Sequence, residues 1–327
     1  MSDSTAELTI EVHLTEEEWS DTISTDCVDG LTDDPKRLSP VWFYDEYGSQ
    51  LFDDITRLPE YYPTRAEASL LVAHARQIVE LSKADSLVEL GSGTSDKTVH
   101  LLDALASAGR LARYVPFDVS GETVRSAADR LMAQYPDLVI HAVVGDFHRH
   151  LGEIPRGGRR LVAFLGGTLG NLGPEERGRF LFDLDCVMSS DDRLLLGVDL
   201  VKDPTTLVRA YDDRAGVTAA FNRNALSHIN DRFGADFDPD AFEHVARWND
   251  EEEWIEILLR ATEAQTVDLG RLGAVVRIGK GEEIRTEISA KFTPERIQSE
   301  LWDNGFVVEE TWRADPGFLL VLAHPYC

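Results

Sequence analysis

The chain has 327 residues, of which 43% are hydrophobic and 28% charged, and these proportions are typical of a folded globular protein with one large or two modest domains. Acidic residues outnumber basic ones by 59 to 32, which gives a formal net charge of −27 at pH 7. Such an excess of carboxylates repels nucleic-acid backbones and anionic lipid surfaces, so it argues against both as partners.

Targeting and metal-binding signals are not recognisable in the sequence. No segment has the roughly 20 consecutive apolar residues of a transmembrane helix, and the first residues lack the cationic and apolar regions of a signal peptide. Cys27, Cys186 and Cys327 are odd in number and far apart, which fits neither a disulfide framework nor a metal-ligand spacing. We expect a cytoplasmic protein without a bound metal, and we take it to be a monomer.

Strands and helices alternate through the first half of the chain, after an Asp-, Glu-, Ser- and Thr-rich segment, residues 1–17, that predicts a flexible N-terminus. A helix is predicted over residues 65–82. The strands that follow are predicted at 86–90, 111–117, 139–144, 160–165 and 193–199, with helices at 97–107, 120–135 and 174–187. This alternation predicts an α/β fold with a doubly wound, Rossmann-like parallel sheet, whose ligands lie at the carboxyl ends of the strands.

The alternation stops after Asp199. The predicted elements are then a mostly helical stretch at 204–250, two long antiparallel strands at 254–269 and 274–292, a capped helix at 293–304, and strands at 306–313 and 318–324. We therefore predict two domains. A cofactor domain comprises residues 65–201 and 291–327, and a second, α+β domain that binds the substrate comprises residues 18–64 and 202–290.

A glycine loop, Gly91-Ser92-Gly93, follows the first of these strands, and glycines there allow a ligand to approach the backbone. A tight turn without a ligand is the plain alternative. A dinucleotide fingerprint needs a third glycine where Asp96 stands, and the Gly-Lys-Ser/Thr of a phosphate-binding loop is missing. The loop therefore does not suit a pyrophosphate, which disfavours a nicotinamide oxidoreductase.

Carboxylates end the next two strands. Asp118 is placed to accept hydrogen bonds from ribose hydroxyls, and Asp146 with Phe147 to hold an adenine amine and ring, although each aspartate alone is equally consistent with a helix N-cap. Together they suit an adenosine without phosphates. This combination resembles the class I S-adenosylmethionine (SAM)-dependent methyltransferases. Lys97 is open to two interpretations, since it meets either the carboxylate of such a cofactor or the solvent.

An aromatic segment precedes the cofactor domain and contains Pro40-Val41-Trp42-Phe43-Tyr44 and Leu58-Pro59-Glu60-Tyr61-Tyr62-Pro63-Thr64-Arg65. Together with Gly166-Gly167-Thr168-Leu169-Gly170-Asn171-Leu172, it resembles the actinobacterial L-histidine Nα-methyltransferases of ergothioneine biosynthesis. The resemblance extends from about residue 36 to the C-terminus. It implies SAM as methyl donor, no metal, L-histidine as a small-molecule substrate, and the trimethylated betaine hercynine as product.

The resemblance also implies a set of site residues. Cofactor contacts fall on Gly91, Lys97, Asp118, Asp146 and Phe147, and histidine contacts on Tyr61, Asn171, Tyr211, Glu287 and Ser289. Tyr44 and Asn171 are the candidate catalytic residues, with Tyr44 or water as the proton acceptor. One departure is Ile257, where the family usually has methionine.

Several alternatives stay open. Glu287 and Ser289 project from the same face of a predicted strand and so suit the two imidazole nitrogens, but Arg285 projects the same way and a structural ion pair with Glu287 is the other interpretation. Asn171 is also consistent with ordinary turn chemistry. Two other functions compete with histidine methylation, namely the same chemistry on tryptophan or tyrosine and a non-catalytic SAM-binding sensor.

Overall fold

The computed structural model describes residues 7–326, and it divides the chain into two compact units. Within the described residues, the large-sheet unit comprises 7–15, Arg65–Leu200 and 292–326, and the small-sheet unit comprises Glu16–Thr64 and Val201–Lys291. These boundaries differ from the predicted domain boundaries by one or two residues, apart from the N-terminal segment. Within residues 7–326, no helix combines the length and the apolar character that crossing a bilayer requires.

An eight-stranded sheet forms the large-sheet unit. Its strands are β1 (Glu7–Val12), β3 (Ser86–Leu90), β4 (Arg113–Asp118), β5 (Val139–Val144), β6 (Arg160–Phe164), β7 (Arg193–Asp199), β13 (Phe306–Ala314) and β14 (Phe318–Pro325). They lie in the order β1-β5-β4-β3-β6-β7-β14-β13, in which all pairs up to β7 are parallel and the last two strands are antiparallel. The chain winds outward in both directions from β3, and such a reversal leaves a crevice at the carboxyl end of the strand.

Helices cover both faces of this sheet, which confirms the doubly wound α/β prediction. They are α3 (Pro63–Ser82), α4 (Val99–Ser107), α5 (Gly121–Gln134), α6 (Pro174–Val187) and α9 (Pro294–Asp303). Successive side chains of a strand point to opposite faces. Leu161 and Ala163 of β6 accordingly share a core with α3, α4 and α5, whereas Phe164 packs against Phe180 of α6, with ring centroids 4.7 Å apart.

The predicted flexible N-terminus is wrong in part, because residues 7–12 form strand β1. The segment alternates apolar and polar residues, and it pairs in parallel with β5 from Glu7 opposite Val139 to Val12 opposite Val144. Leu8 and Ile10 pack against the core, so burial of their side chains stabilises the added edge strand. Residues 1–6 of that prediction, and Cys327, lie outside the described residues.

The small-sheet unit contains a four-stranded sheet in the order β2-β12-β9-β8 and a separate two-stranded hairpin, β10-β11. Its elements are α1 (Glu16–Thr32), β2 (Lys36–Arg37), α2 (Glu46–Arg57), α7 (Pro204–Tyr211), α8 (Val217–Phe233), β8 (Phe242–Asn249), β9 (Trp254–Ala261), β10 (Gln265–Asp268), β11 (Val275–Ile278) and β12 (Glu283–Ala290). Aromatic side chains dominate its core, including Trp42, Phe43 and Phe221. The aromatic segment of the sequence is therefore partly structural.

Two predictions for this unit need correction. The mostly helical prediction for 204–250 is wrong over residues 242–249, which form β8, because this segment pairs antiparallel with β9 along its whole length. The two long strands are each divided, into β9 with β10 and β11 with β12. The second division falls at a turn containing Gly279 and Gly281, and Gly281 has a φ of +81° that suits glycine.

Candidate functional site

The glycine loop lies at the carboxyl end of β3, where the sheet order reverses. Gly91 and Gly93 have φ angles of +66° and +47°, and a Cβ added at either residue would meet nothing within 4 Å. The backbone N–H of Gly91 donates to the carbonyl of Phe117, 2.8 Å away, which ties the loop to β4. The glycines therefore supply the left-handed backbone and leave open space beside it for a ligand.

Asp118 ends β4 beside this loop, as predicted for a parallel sheet. Its carboxylate accepts hydrogen bonds from the backbone N–H groups of Gly93 at 2.9 Å and Ser120 at 3.0 Å. Burial raises the pKa of Asp118 above its ordinary value, although these N–H groups oppose that rise. An ionised carboxylate can accept further bonds, so the geometry suits ribose hydroxyls.

Asp146 and Phe147 follow β5 at the same edge of the sheet. One carboxylate oxygen of Asp146 accepts from the N–H of His148 at 2.9 Å, so the side chain also stabilises its own turn. The Phe147 ring packs edge-on against Phe164 and Phe180, with centroids 5.5 and 5.6 Å away. The large-sheet unit thus gathers the predicted cofactor residues around the carboxyl ends of three adjacent strands.

Lys97 pairs with Glu67, which is not among the residues predicted from the sequence. The Lys97 ammonium donates to one Glu67 oxygen, and the other oxygen accepts from the backbone N–H of Gly166 at 2.7 Å. Glu67 is 0% exposed, while 29% of the Lys97 side chain remains accessible. A signal was present in the sequence, since Glu67 interrupts the apolar stripe of α3 that continues with Leu70 and Leu71.

A second buried acid, Glu89, lies on β3 just before the glycine loop. Its oxygens accept from the hydroxyls of Thr98 and Tyr114, and the Tyr114 hydroxyl also lies 2.8 Å from that of Ser95. Ser95 has a φ of +57°, which is unusual for a residue with a side chain. The network therefore joins β3 and β4 to Ser95 and Thr98, which lie between Gly93 and helix α4.

Burial raises the pKa of Glu89 to about 7, from an ordinary value of 4.5. The folded state then holds this proton more tightly than the unfolded chain, so the stabilisation is complete below pH 4.5 and is lost as the pH rises through 7. The variant Glu89→Gln lacks the carboxyl group and therefore its titration. As the pH rises from 4.5 to 7, the free energy of unfolding of the variant should rise relative to that of the parent chain by up to about 3 kcal/mol. Urea unfolding at pH 5 and pH 8 measures this, and a difference that does not change with pH would contradict it.

Asn171 ends a short 3₁₀ turn, Thr168–Asn171, that follows β6. Gly166 and Gly167 precede the turn with φ angles of +79° and +71°, so the chain reverses sharply after the strand. Asn171 therefore also lies at the carboxyl edge of the large sheet. Both turn chemistry and ligand binding suit an asparagine there.

Three polar side chains of the small-sheet unit are hydrogen-bonded to one another. The Tyr211 and Ser289 hydroxyls are 2.8 Å apart, and the Lys291 ammonium donates to both, at 2.8 and 2.7 Å. Lys291 is only 1% exposed and is a further residue that the sequence did not predict. Its position two residues after Ser289, on the same face of the strand predicted over 274–292, was the available signal.

Glu287 and Ser289 share a strand face, and a β-bulge lies between them and Arg285. The register of β12 against β9 shifts between Arg285 and Glu287, so Thr286 is the extra residue, and Glu287 lies opposite Ile257. The bulge interrupts the simple alternation that predicts Arg285 on the same face as Glu287. The ion-pair interpretation of Glu287 thereby loses the regular strand geometry on which it was based.

The remaining predicted substrate residues belong to an aromatic cluster. The Tyr61 ring meets that of Tyr211 edge-on, with centroids 6.0 Å apart. Tyr44 packs edge-on against Phe52 and Phe221 at 5.8 and 5.7 Å and is 49% exposed. The small-sheet unit therefore brings Tyr61, Tyr211 and Ser289 together, with the Tyr44 ring in the adjoining part of the cluster.

The two cysteines in the described part of the chain do not form a shared site. Cys27 is buried and Cys186 is exposed, and both are free thiols. Burial raises the pKa of Cys27 to about 12, so it remains protonated. Over residues 7–326, no group of three or more His, Cys, Asp and Glu side chains is arranged to hold a metal ion.

Comparison with known proteins identifies the family. Residues 23–324 match the family described as histidine-specific, SAM-dependent methyltransferases. The chain belongs to this family. The SAM-dependent methyltransferase is 52% identical to the histidine N-alpha-methyltransferase of Mycolicibacterium smegmatis, over 94% of this chain and 96% of that protein. It is 53% identical to the histidine N-alpha-methyltransferase of Mycobacterium tuberculosis, over 93% of this chain and 95% of that protein.

A more distant relative is the ergothioneine biosynthesis protein 1 of Neurospora crassa. The methyltransferase is 32% identical to it over 62% of this chain and 24% of that longer protein. Family membership makes SAM the methyl donor. The open backbone at Gly91 and Gly93 and the carboxylates of Asp118 and Asp146 suit that donor, because together they present space and hydrogen-bond acceptors for an adenosine.

Proposed function

We propose that this enzyme transfers methyl groups from SAM to the α-amino group of L-histidine, three times in succession, to give hercynine as the first step of ergothioneine biosynthesis. The observation that carries the proposal is the donor and acceptor pattern on one face of β12. Glu287 presents a carboxylate there, and Ser289 presents a hydroxyl that is fixed by Tyr211 and Lys291. A neutral imidazole has one N–H donor and one acceptor nitrogen, so it matches this pair.

The large-sheet unit is proposed to hold the cofactor through Gly91, Lys97, Asp118, Asp146 and Phe147. Asp118 would accept from ribose hydroxyls and Asp146 from the adenine amine, with Phe147 against the ring. The sulfonium supplies an already activated methyl group. The task of the protein is then to orient the amine and exclude water, and positioning of this kind contributes about 7–11 kcal/mol to lowering a barrier.

The acceptor side divides into recognition and proton removal. Asn171 and Tyr61 are proposed to bind the amino-acid end of histidine, since an amide both donates and accepts hydrogen bonds. The amine attacks only as the free base, and the Tyr44 hydroxyl or water takes its proton. Each transferred methyl removes an N–H donor, so recognition over three rounds must rest on the imidazole and the carboxylate rather than on the amine.

Tyr211→Phe tests this recognition, because it removes a hydroxyl that contacts both Ser289 and Lys291 while keeping the ring. We expect the KM for histidine to rise about tenfold, since the proposed hydrogen bond from the Tyr211 hydroxyl to the charged amino-acid end of histidine is lost, and the Kd for SAM to stay unchanged. Steady-state kinetics and calorimetry measure the two constants. Tyr47→Phe is the matched control, as Tyr47 is 56% exposed. Equal effects of the two variants on KM would contradict the assignment.

One assay distinguishes the proposed function from the competing ones. L-Histidine, L-tryptophan and L-tyrosine are each incubated with SAM, and S-adenosylhomocysteine is quantified. The proposal predicts turnover with histidine at a kcat/KM far above the other two. Turnover only with tryptophan or tyrosine would establish the same chemistry on another acceptor, and SAM binding without turnover would establish a sensor. The cytoplasmic location and the monomeric state expected from the sequence stay predictions, and gel filtration tests the latter.

A further inference from the structure

We propose that Glu67 is a positioning residue for the cofactor, which acts by fixing the Lys97 ammonium. The inference rests on the proposed role of Lys97 as a cofactor contact. Lys97 follows the glycine loop, and its long side chain would otherwise sample many rotamers. Glu67 lies near the start of α3, 30 residues earlier in the chain, and reaches the same edge of the sheet.

The Glu67 carboxylate occupies a site built for it. Both oxygens are used, one by Lys97 and the other by the N–H of Gly166. Strand β7 supplies the space, because a Cβ at Gly197 would overlap the Glu67 carboxylate. A fully buried carboxylate without such partners would be strongly destabilising. The hydrogen bonds from Lys97 and Gly166 therefore allow Glu67 to be buried here.

The pairing leaves Lys97 able to bind a second anion. An ammonium has three N–H donors and Glu67 uses one, while 29% of the Lys97 side chain remains accessible. The cofactor's amino-acid portion carries a carboxylate that these hydrogens can meet. Because Glu67 has already restricted the lysine, less conformational entropy is lost when the cofactor binds.

The same carboxylate also connects to the acceptor side of the chemistry. Its bond to Gly166 fixes the start of the turn that ends at Asn171. Glu67→Gln separates the two connections. The glutamine carbonyl oxygen can still accept from Gly166, whereas its NH₂ group faces the Lys97 ammonium and cannot accept from it.

A double-mutant cycle on cofactor affinity tests the inference. The parent chain, Glu67→Gln, Lys97→Met and the double variant are titrated with SAM by calorimetry. We expect each single variant to weaken binding about tenfold, as for loss of a charge-assisted hydrogen bond. The double variant should bind as well as Lys97→Met alone, because Glu67 acts only through Lys97. Glu67→Asp, which keeps the charge, should recover part of the affinity.

The control is Asp192→Asn, which alters a comparable buried pair. Asp192 is 0% exposed and accepts from the Arg160 guanidinium and from the N–H of Arg160, at the opposite end of β6. It should lower the melting temperature without changing the Kd for SAM. A purely structural role for Glu67 predicts the same loss of affinity with or without Lys97, and that result would overturn the inference.

The failures of the two proposals are distinguishable. If the parent chain binds SAM and Glu67→Gln binds it equally well, the positioning role is wrong while the proposed function stands. If Lys97→Met keeps full affinity and Glu67→Gln loses it, Glu67 acts by another route and the inference is also wrong. If the parent chain binds SAM but methylates no histidine, the proposed function fails, and the cycle still reports on Glu67.

Discussion

Glu287→Ala should raise the KM for L-histidine by about 5- to 150-fold. The substitution leaves an imidazole N–H without its acceptor, and an unpaired buried donor costs about 1–3 kcal/mol. Glu287 is half-buried on β12 opposite Ile257, so little compensating water is expected once the ring is bound. Steady-state kinetics with SAM at saturation measures the effect.

The control for this variant is Glu243→Ala in the same sheet. Glu243 lies on β8 and 61% of its side chain is exposed, so its removal should leave the KM for histidine unchanged. The Kd for SAM should be unaffected in both variants, because Glu287 belongs to the small-sheet unit. A histidine KM that stays within about twofold of the parent value after Glu287→Ala would refute the assigned role.

Asp118→Ala should weaken SAM binding by at least about tenfold. The change removes the acceptor for the ribose hydroxyls, and it also leaves the N–H groups of Gly93 and Ser120 without their partner. Loss of one hydrogen bond to a charged group costs about 1.5–3 kcal/mol, which corresponds to more than tenfold in affinity. Calorimetric titration with SAM measures the Kd directly.

Asp129→Ala on α5 is the matched control for Asp118, because Asp129 is an exposed aspartate on the helix that follows β4. It should leave the Kd for SAM unchanged. If Asp118→Ala binds SAM as tightly as the parent chain, Asp118 serves only to stabilise the turns beside it, and the cofactor assignment must be revised.

The large sheet is the part of the fold that the sequence predicts well. The bounds of β3, β5, α6 and β7 match the predicted ones, because continuous apolar strands between amphipathic helices carry a strong local signal. Pairing between distant segments carries no such signal. Strand β1 is missed because its polar residues are typical of a flexible segment and its partner β5 is distant in the sequence. Strand β8 is wrongly predicted as helix because Phe242, Val245 and Ala246 stand at helical spacing, although its partner β9 begins five residues after it.

The candidate site divides in the same way. The rule that ligands lie at the carboxyl ends of parallel strands is enough to place Gly91, Asp118 and Asp146 together from the strand pattern alone. Glu67 and Lys291 are missed because the sequence marks them only as charged residues beside apolar ones, whereas the partners that give them a role are supplied by the fold. The bulge at Thr286 likewise depends on the register between two strands.

The most direct test of the proposed chemistry is the mass of the product formed from L-histidine and an excess of SAM. Histidine should gain the mass of three CH₂ units, since each methyl group replaces a hydrogen, with all three methyl groups on the α-nitrogen by fragmentation and with S-adenosylhomocysteine released in a ratio of three to one. Histidine recovered unchanged, or methylated on the imidazole ring, would contradict the proposed function.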